Sequence, residues 1–361
     1  MTISETSPQL DVPQSDAPQL DVFAQLRRGE AAPTWVSDGI LRAWDLDATS
    51  VVTLIVLSEN VTFKVSTGSG EPIMVVRLGR PGYAASTDHI RAELQWVEAL
   101  RDDAGIPTPA PVRGQGGDFV QFLDDASGAR WSAVAFGFVA GSVLEDEGAD
   151  PAHFHEIGRL TGLLHEHART WEPPAAFVRF EWDVADMVGP AARWGDWRDA
   201  DLTDPDRAML VRAEERAKGI LADAGVDHSP DHFGLIHGDL RPSNVMRMSE
   251  GEHPLVIIDF DDCGFGYYLY DFAAALTFYE HRPAAREMAE RWLTGYQTVR
   301  PLSAVDLRVA GAFSLLRRLT MLGWATTHRA DALPPDLWDE NLPGTVEVGA
   351  RFLADPEWLT R

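Results

Sequence analysis

The order of two hydrophobic patterns along the chain constrains its fold more than any other feature. Between residues 51 and 139, short β-branched runs alternate with turn sequences and with one amphipathic helical stretch. The strand candidates are Val51–Leu57, Val61–Ser66, Pro72–Leu78, Phe119–Leu123 and Trp131–Val139. The helical stretch has apolar residues three or four positions apart, at Ile90, Leu94, Val97 and Leu100. We therefore predict a five-stranded antiparallel sheet with one inserted helix.

The pattern becomes mainly helical beyond Gly141. Apolar residues recur at helical spacing in residues 157–168, 208–222, 270–299 and 303–329. Short apolar strands lie within residues 234–244 and 255–262, and each ends in polar residues. The sequence therefore predicts an α+β fold, in which a small antiparallel β lobe with one helix precedes a larger, mainly helical lobe.

The first residues differ from both lobes in composition. Residues 1–22 are rich in Pro, Gln, Ser and Asp, and the pentad Pro8–Val12 recurs as Pro18–Val22. Two short copies cannot build a stacked repeat, and so few apolar groups cannot offset the entropy of ordering. We predict a flexible tail over residues 1–22, a first lobe over residues 23–138 and a second lobe over residues 139–361, with a docking peptide as the alternative for the tail.

Charge and cysteine content exclude several classes of function. The 361 residues hold 31 Lys and Arg against 56 Asp and Glu, a formal net charge of −25. Binding to nucleic acid or to an anionic membrane is disfavoured, because phosphates are recognised by clustered cations. The charge suits a cationic small-molecule partner, although solvation alone would also explain it. A single cysteine, Cys263, the lack of a secretory signal and the lack of an apolar run of about 18 residues predict a cytoplasmic protein.

Three polar residues follow predicted strands at a spacing that suits phosphoryl transfer. His237-Gly238-Asp239 ends one apolar strand of the second lobe. Asn244 comes five residues after the aspartate, and Asp259 closes the next apolar strand. One carboxylate can accept the proton of an attacking hydroxyl, while an Asn oxygen and a second carboxylate can hold Mg²⁺ on nucleotide phosphates. We predict Asp239 as the base and Asn244 and Asp259 as metal ligands, because turn capping, the alternative for each residue alone, does not explain their order.

These motifs resemble those of the aminoglycoside phosphotransferase and choline kinase family, whose members have a protein-kinase-like bilobal fold. The resemblance is carried by His-Gly-Asp, four intervening residues and Asn at 237–244, and by Ile258-Asp259-Phe260. The run Asp-Phe-Asp-Asp-Cys-Gly at 259–264 is similar to the subgroup of the bacterial stress-response kinase and the type II homoserine kinases. The resemblance implies a kinase that uses ATP and Mg²⁺ and phosphorylates a hydroxyl of a small molecule, such as an amino alcohol, an aminoglycoside or a sugar.

The resemblance also implies a nucleotide site in the first lobe. Ser58 and Asn60 lie in the loop that covers the nucleotide phosphates in this family. Arg77 occupies the third strand, where these enzymes usually place a phosphate-binding Lys, and Glu93 on the inserted helix is its expected ionic partner. Arg stays charged and can bind two phosphate oxygens at once, so this departure from the family pattern is physically workable.

Further roles follow from the same resemblance. Gly137 and Val139, in the segment that joins the lobes, are the expected backbone contacts of adenine. His237 would orient the catalytic loop, and Asp271 would brace it by accepting backbone N–H bonds. The candidates for contact with the acceptor, of which the two aspartates could equally belong to a solvated loop, are Arg241, Asp261 and Asp262.

Two other functions stay open at this point. The resemblance to the stress-response kinase also permits a protein Ser/Thr kinase. The Arg at position 77 permits a nucleotide-binding regulator without catalysis, whereas the complete set of Asp239, Asn244 and Asp259 argues against one. The motifs fix neither the acceptor nor the oligomeric state.

Overall fold

The structure of the protein is a computed structural model that describes residues 20–23, 25–58, 60–81, 86–148, 150–249, 254–327 and 335–361. The described residues form two compact units. The first contains the chain up to Gln95 together with Ala110–Phe138, and the second contains Trp96–Pro109 together with Val139–Arg361. Residues 96–109 therefore pack with the second unit, whereas the sequence division placed them in the first lobe.

The first unit is built on an antiparallel sheet. Its strands are β1 (Val51–Leu57), β2 (Val61–Ser66), β3 (Pro72–Gly79), β4 (Pro111–Val112), β5 (Gln121–Asp124) and β6 (Arg130–Gly137). They are ordered β1-β2-β3-β6-β4, and β5 also pairs with β6. Two helices accompany the sheet, α1 (Thr34–Ala43) and the first part of α2 (Thr87–Ala104). The five predicted strands and the inserted helix are confirmed; β1 and β2 have the predicted ends, and the ends of the other elements are shifted by up to four residues.

Two elements of this unit were not predicted from the sequence. Strand β4 has only two residues, and its Pro111 follows closely after Pro107 and Pro109, so no alternation is visible. Helix α1 contains Gly39, a residue that weakens a helical pattern. A Cβ atom at Gly39 would lie 2.6 Å from the side chain of Leu123, so the close approach of α1 to β5 requires glycine there.

An aromatic cluster closes one side of the first sheet. Leu20–Phe23 forms a 3-10 turn, and the side chain of Phe23 is fully buried. Its ring centroid lies 5.4 Å from that of Trp131, 5.8 Å from that of Trp35 and 6.0 Å from that of Phe63. The last residues of the predicted tail therefore lead directly into the core, while residues 1–19, including the first copy of the pentad, lie outside the described residues.

The second unit is mainly helical. Its helices after α2 are α3 (Phe154–Thr170), α4 (Val184–Val188), α5 (Asp204–Asp223), α6 (Tyr270–Ala275), α7 (Ala285–Gln297), α8 (Ala304–Thr327) and α9 (Pro335–Ala354). Its strands are β7 (Gly141–Val143), β8 (Glu181–Trp182), β9 (Phe233–Ile236), β10 (Val245–Met248), β11 (Leu255–Ile257) and β12 (Gly264–Tyr267). The strands form two small sheets, ordered β11-β10-β7 and β8-β12-β9. The predicted α+β fold class is confirmed.

The long helical region predicted over residues 270–299 is wrong in one respect, because it is two helices. α6 ends at Ala275 and α7 begins at Ala285. Phe278, between them, has a left-handed backbone with φ of 68°, and Pro283 cannot continue a helix from the preceding turn. The break creates the non-helical segment Thr277–Glu280, in which Thr277 and Glu280 bond to the two arginines of α8.

Helix α8 passes through the interior of the second unit. Ser303 and Asp306 bond to each other's backbone N–H at its start, which satisfies the first free donors of the helix. Most of its residues from Val309 onward are buried, including the consecutive arginines Arg317 and Arg318. Across the described part of the chain, no helix combines the length and the apolar character that a membrane span requires.

Candidate active site

The catalytic loop begins where β9 ends. Ile236 is fully buried, and His237, Gly238 and Asp239 follow it without a gap. Gly238 has φ of 81°, and a Cβ atom there would lie 2.6 Å from the carbonyl oxygen of Asp262. Glycine is therefore required twice at this position, for the backbone conformation and for the close approach. The turn leaves the side chain of Asp239 20% exposed.

Asp271 anchors the backbone of the catalytic loop by hydrogen bonds. It is fully buried on α6, and its two carboxylate oxygens accept the N–H groups of His237 at 2.9 Å and of Gly238 at 2.8 Å. His165 Nε2 lies 3.0 Å from Asp271 Oδ2, and the hydroxyl of Tyr296 lies 2.9 Å from His165 Nδ1. The structure places Asp271 where the resemblance expects it and adds two residues that the sequence did not indicate.

The protonation states of this buried chain follow from its surroundings. Burial lowers the pKa of His165 below its ordinary value, although Asp271 opposes the shift. Burial alone would raise the pKa of Asp271, but the bonds from His165 and from the backbone N–H of His237 lower it overall. A neutral imidazole beside a carboxylate must donate from Nε2, so Nδ1 accepts the hydroxyl proton of Tyr296.

Asn244 connects the catalytic loop to the second motif. Its Nδ2 donates to the carbonyl oxygen of Asp239 at 2.8 Å and to Asp239 Oδ2 at 2.9 Å. A backbone carbonyl oxygen can only accept, so the amide orientation is fixed and Asn244 Oδ1 points away from Asp239. The backbone N–H of Ile258 donates to the carbonyl oxygen of Asn244 at 2.9 Å, so the two predicted metal ligands lie at the adjoining ends of the paired strands β10 and β11.

The residues present fit a magnesium ion. Asp259 is exposed and follows β11 with a left-handed backbone, φ of 63°. Such a conformation is rare outside glycine and is kept where a side chain must point in a particular direction. Together, Asp259 and Asn244 Oδ1 supply two oxygens, and Mg²⁺ typically takes few protein oxygens and completes its shell with phosphate and water.

The loop after Asp259 is clamped through its carbonyl groups. Arg179, a largely buried residue, donates from Nε to the carbonyl oxygen of Cys263 at 2.5 Å and from Nη2 to that of Asp261. Trp182 Nε1 donates to the carbonyl oxygen of Asp262 at 2.8 Å. Asp261 and Asp262 are half-buried in this loop. Their positions beside the catalytic loop are consistent with contact to an acceptor, which stays a prediction.

His237 joins both loops. Its Nε2 lies 3.2 Å from the carbonyl oxygen of Ile258, and its Nδ1 lies 3.3 Å from the backbone N–H of Asp239. Nε2 therefore donates and Nδ1 accepts. Its ring packs against Phe260 with a centroid distance of 4.5 Å. The imidazole serves as a spacer between the two loops, in line with the orienting role predicted for it.

Arg317 is the main site residue that the sequence did not reveal. Its Nη2 lies 2.5 Å from Asp239 Oδ1, although 78 positions separate the two residues. Arg241, which was predicted to face the acceptor, lies beside the other oxygen, with Nε 3.6 Å from Asp239 Oδ2. Two arginines in the apolar run of α8 are the one sequence signal that could have indicated a buried charge with a partner.

In the first unit, the structure brings two predicted residues together. Arg77 Nη2 lies 2.8 Å and 2.7 Å from the two carboxylate oxygens of Glu93, which is 1% exposed. Ser58 and Asn60 form the turn between β1 and β2, where the backbone N–H of Ser58 donates to the carbonyl oxygen of Asn60 at 2.9 Å. Arg80 Nη2 donates to the carbonyl oxygen of Ser58 at 3.2 Å.

The segment that joins the units limits the predicted adenine contacts. The backbone N–H of Gly137 donates to the carbonyl oxygen of Ala110 at 2.8 Å. That N–H is therefore committed to the sheet, so a contact from Gly137 to a base would have to use its carbonyl group. Val139 is half-buried and is the first residue of the second unit in this part of the chain.

The chain is similar to proteins of known family and known structure. The model of the phosphotransferase enzyme family matches residues 54–302, more than half of the chain. A solved structure of a microcompartment-associated aminopropanol kinase is 33% identical, with a TM-score of 0.80 over 90% of this chain and 99% of that chain. An identity of 33% over that coverage indicates a family relationship and not only a shared fold.

Two curated proteins match over shorter stretches. Homoserine kinase from Methylobacterium radiotolerans is 28% identical over 251 residues, which are 64% of this chain and 67% of that protein. An uncharacterized protein from Synechocystis is 23% identical over 224 residues, 60% of this chain and 57% of that protein. The chain thus spans about 57% of one curated relative and 67% of the other.

Proposed function

Because the chain belongs to the phosphotransferase enzyme family, we propose that it transfers the γ-phosphoryl group of ATP to a hydroxyl group of a small molecule. The observation that carries this proposal is the contact between Asp239 and Asn244, with Asp259 held beside them through Ile258. A base and two oxygen ligands for Mg²⁺ at adjacent positions are the set that phosphoryl transfer requires.

Each residue has a defined part in the proposed reaction. Asp239 orients the acceptor hydroxyl and accepts its proton as the oxygen bonds to the γ-phosphorus and the bond to the β-phosphate oxygen breaks. Asn244 fixes the carboxylate of Asp239 through Nδ2 and offers Oδ1 to Mg²⁺ with Asp259. When bound, Mg²⁺ neutralises charge on the phosphates. Arg77, paired with Glu93, is the proposed cation for the nucleotide phosphates.

A small amino alcohol is the proposed acceptor. The 33% identical structure is that of an aminopropanol kinase, and homoserine, the substrate in the name of the Methylobacterium relative, also carries both an amine and a hydroxyl. The carboxylates of Asp261 and Asp262 beside the catalytic loop favour a cationic molecule over an anionic one. Aminoglycosides and sugars are the wider classes that the same catalytic residues could serve.

Turnover with a panel of acceptors tests this proposal. The purified protein, ATP and Mg²⁺ are incubated with aminopropanol isomers, homoserine, choline, an aminoglycoside and a neutral sugar, and ADP release is measured. We expect acceptor-dependent turnover with an amino alcohol, loss of turnover in Asp239→Ala with retained nucleotide binding, and loss of Mg·ATP binding in Asp259→Ala. Equal turnover by Asp239→Ala and the wild type would overturn the assignment of the base.

The same reaction mixtures distinguish the two alternatives from the sequence. With γ-labelled ATP, label recovered on protein would support a protein Ser/Thr kinase, and label recovered on the small molecule supports the proposal. Tight Mg·ATP binding without turnover of any acceptor would support a nucleotide-binding regulator.

A further inference from the structure

We propose that Arg317 is a positioning residue for phosphoryl transfer, which holds the carboxylate of Asp239 in the orientation that the acceptor hydroxyl needs. The inference rests on the proposed function and concerns the same site. Arg317 lies on α8 and its side chain is completely buried, so it reaches Asp239 from behind the loop and not from the side of a substrate.

The guanidinium group of Arg317 is held on every side. Nη2 bonds to Asp239 Oδ1 at 2.5 Å, Nη1 donates to the hydroxyl of Tyr270 at 3.0 Å, and Nε donates to Thr277 Oγ1 at 3.2 Å. Burial alone would lower the pKa of Arg317, but Tyr270 and Asp239 raise it overall, so the group is a cation. A planar group with three fixed bonds cannot rotate without breaking one of them.

Arg317 and Asn244 together fix the plane of the Asp239 carboxylate. Arg317 binds Oδ1, and Asn244 Nδ2 binds Oδ2 at 2.9 Å. An ionised carboxylate has about four acceptor positions, so the two donors leave positions for an acceptor hydroxyl on the exposed side. Without Arg317, the carboxylate could turn toward Arg241, whose Nε lies 3.6 Å from Oδ2.

The anchors of Arg317 belong to the same framework that holds the loop backbone. Tyr270 precedes Asp271, which binds the N–H groups of His237 and Gly238. The ring of Tyr270 stacks on Trp182 at 5.8 Å, and Trp182 also bonds to the loop that follows Asp259. The backbone and the side chain of the base are therefore positioned by neighbouring residues of α6, and Arg317 is the link to the side chain.

The adjacent Arg318 provides a matched control. It is also completely buried, and its Nη1 pairs with the buried carboxylate of Glu280 at 2.8 Å. Its other bonds go to Thr345 Oγ1 at 2.9 Å and to the carbonyl oxygen of Asn341 at 2.9 Å. None of these partners belongs to the catalytic loop, so loss of Arg318 removes a buried cation of the same kind without touching Asp239.

Chemical rescue of Arg317→Ala tests the proposal. A misplaced catalytic group costs about 100-fold in rate, so we expect kcat to fall by roughly that factor while KM for the acceptor changes little. Added guanidinium ion should enter the space and restore a large part of kcat. Urea, which has the same size but no charge, should not. Arg317→Lys should recover only part of the rate, because an ammonium group cannot make all three bonds.

The controls separate positioning from general stability. Arg318→Ala should lower the melting temperature at least as much as Arg317→Ala, and guanidinium should leave its kcat unchanged. If Arg317→Ala does not fold, Arg317→Lys carries the test through its kcat and KM. If the wild type turns over an acceptor and a folded Arg317 variant has the same kcat, the proposed role of Arg317 is overturned. Equal rescue of Arg317→Ala by guanidinium and by urea would overturn it as well. A wild type that phosphorylates no acceptor would overturn the proposed function as well.

Discussion

Single residues of the two loops combine conformational and chemical demands. Gly238 must adopt a left-handed backbone and must approach the carbonyl oxygen of Asp262 closely. Asp259 adopts a left-handed backbone while it also carries a carboxylate. A left-handed backbone costs about 1–3 kcal/mol in a residue other than glycine and persists where the surroundings enforce it, so Asp259 carries strain and Gly238 does not. Substitutions of single residues in these loops can therefore distinguish effects on stability from effects on turnover.

Gly238→Ala should both destabilise the protein and abolish turnover. The left-handed backbone and the close contact should together lower the unfolding free energy by about 2 kcal/mol or more. Gly219→Ala is the matched control, because Gly219 lies on an exposed face of α5 with no atom within 4 Å of an added Cβ. There we expect stabilisation by about 1 kcal/mol. Equal effects in chemical denaturation would contradict this account of Gly238.

Asp259→Asn should separate charge from backbone conformation. Asn adopts the left-handed region more readily than most residues, so the melting temperature should stay close to that of the wild type. Loss of the negative charge should lower turnover by on the order of 100-fold at ordinary Mg²⁺ concentrations. Titration of ADP release with Mg²⁺ measures this. An unchanged Mg²⁺ dependence would exclude Asp259 as a ligand.

At the scale of elements, the site is assembled from helices that lie far apart in the sequence. α3 contributes His165, α7 contributes Tyr296 and α6 contributes Asp271, and the three side chains form one buried hydrogen-bonded chain. The chain ends on the backbone of the catalytic loop. The packing of α3, α6 and α7 therefore fixes the positions of the backbone N–H groups of His237 and Gly238, which bond to Asp271.

Tyr296→Phe should weaken this chain without changing its shape. His165 Nδ1 would lose its donor inside the protein, which costs about 1–3 kcal/mol of unfolding free energy. The amide protons of His237 and Gly238 should exchange faster with solvent. Tyr279→Phe is the control, because that hydroxyl makes only a long contact of 3.5 Å with Glu145. Unchanged exchange at both amides in Tyr296→Phe would show that the chain does not support the loop.

The sequence predicts features that depend on neighbouring residues and not those that depend on contacts between distant elements. β-branched alternation located β1 to β3, and motif spacing located Asp239, Asn244 and Asp259, because both signals are local. Arg317 and His165 lie 78 and 106 positions from the residues they bond, so no local pattern indicates them. The break before α7 depends partly on the left-handed backbone of Phe278, which hydrophobic periodicity does not encode, whereas Pro283 was a signal for it in the sequence.

For the whole molecule, buried histidines set the dependence of stability on pH. Burial lowers the pKa of His165, of His167 and of His281. In the unfolded chain these groups take up protons near pH 6.5, so the unfolded state binds more protons below that pH. The folded state must therefore lose stability as the pH falls. Asp271, with its lowered pKa, adds to the loss at still lower pH.

Urea unfolding at several pH values checks this expectation. The free energy of unfolding should be lower at about pH 5.5 than at about pH 7.5, by roughly 1–3 kcal/mol if one or two of these histidines stay neutral when folded. His165→Gln should be less stable at both pH values but should show a smaller difference between them. A free energy that stays level or rises toward pH 5.5 would contradict the assignment of neutral buried imidazoles.

The burial of Phe23 decides where the protein can be shortened or extended. Its ring packs against Trp35, Phe63 and Trp131, so the core of the first unit begins at this residue. A fusion partner or an affinity tag joined before residue 20 keeps that aromatic cluster covered. A version that starts at residue 24 would expose three large rings to water, and it would be expected to associate through them.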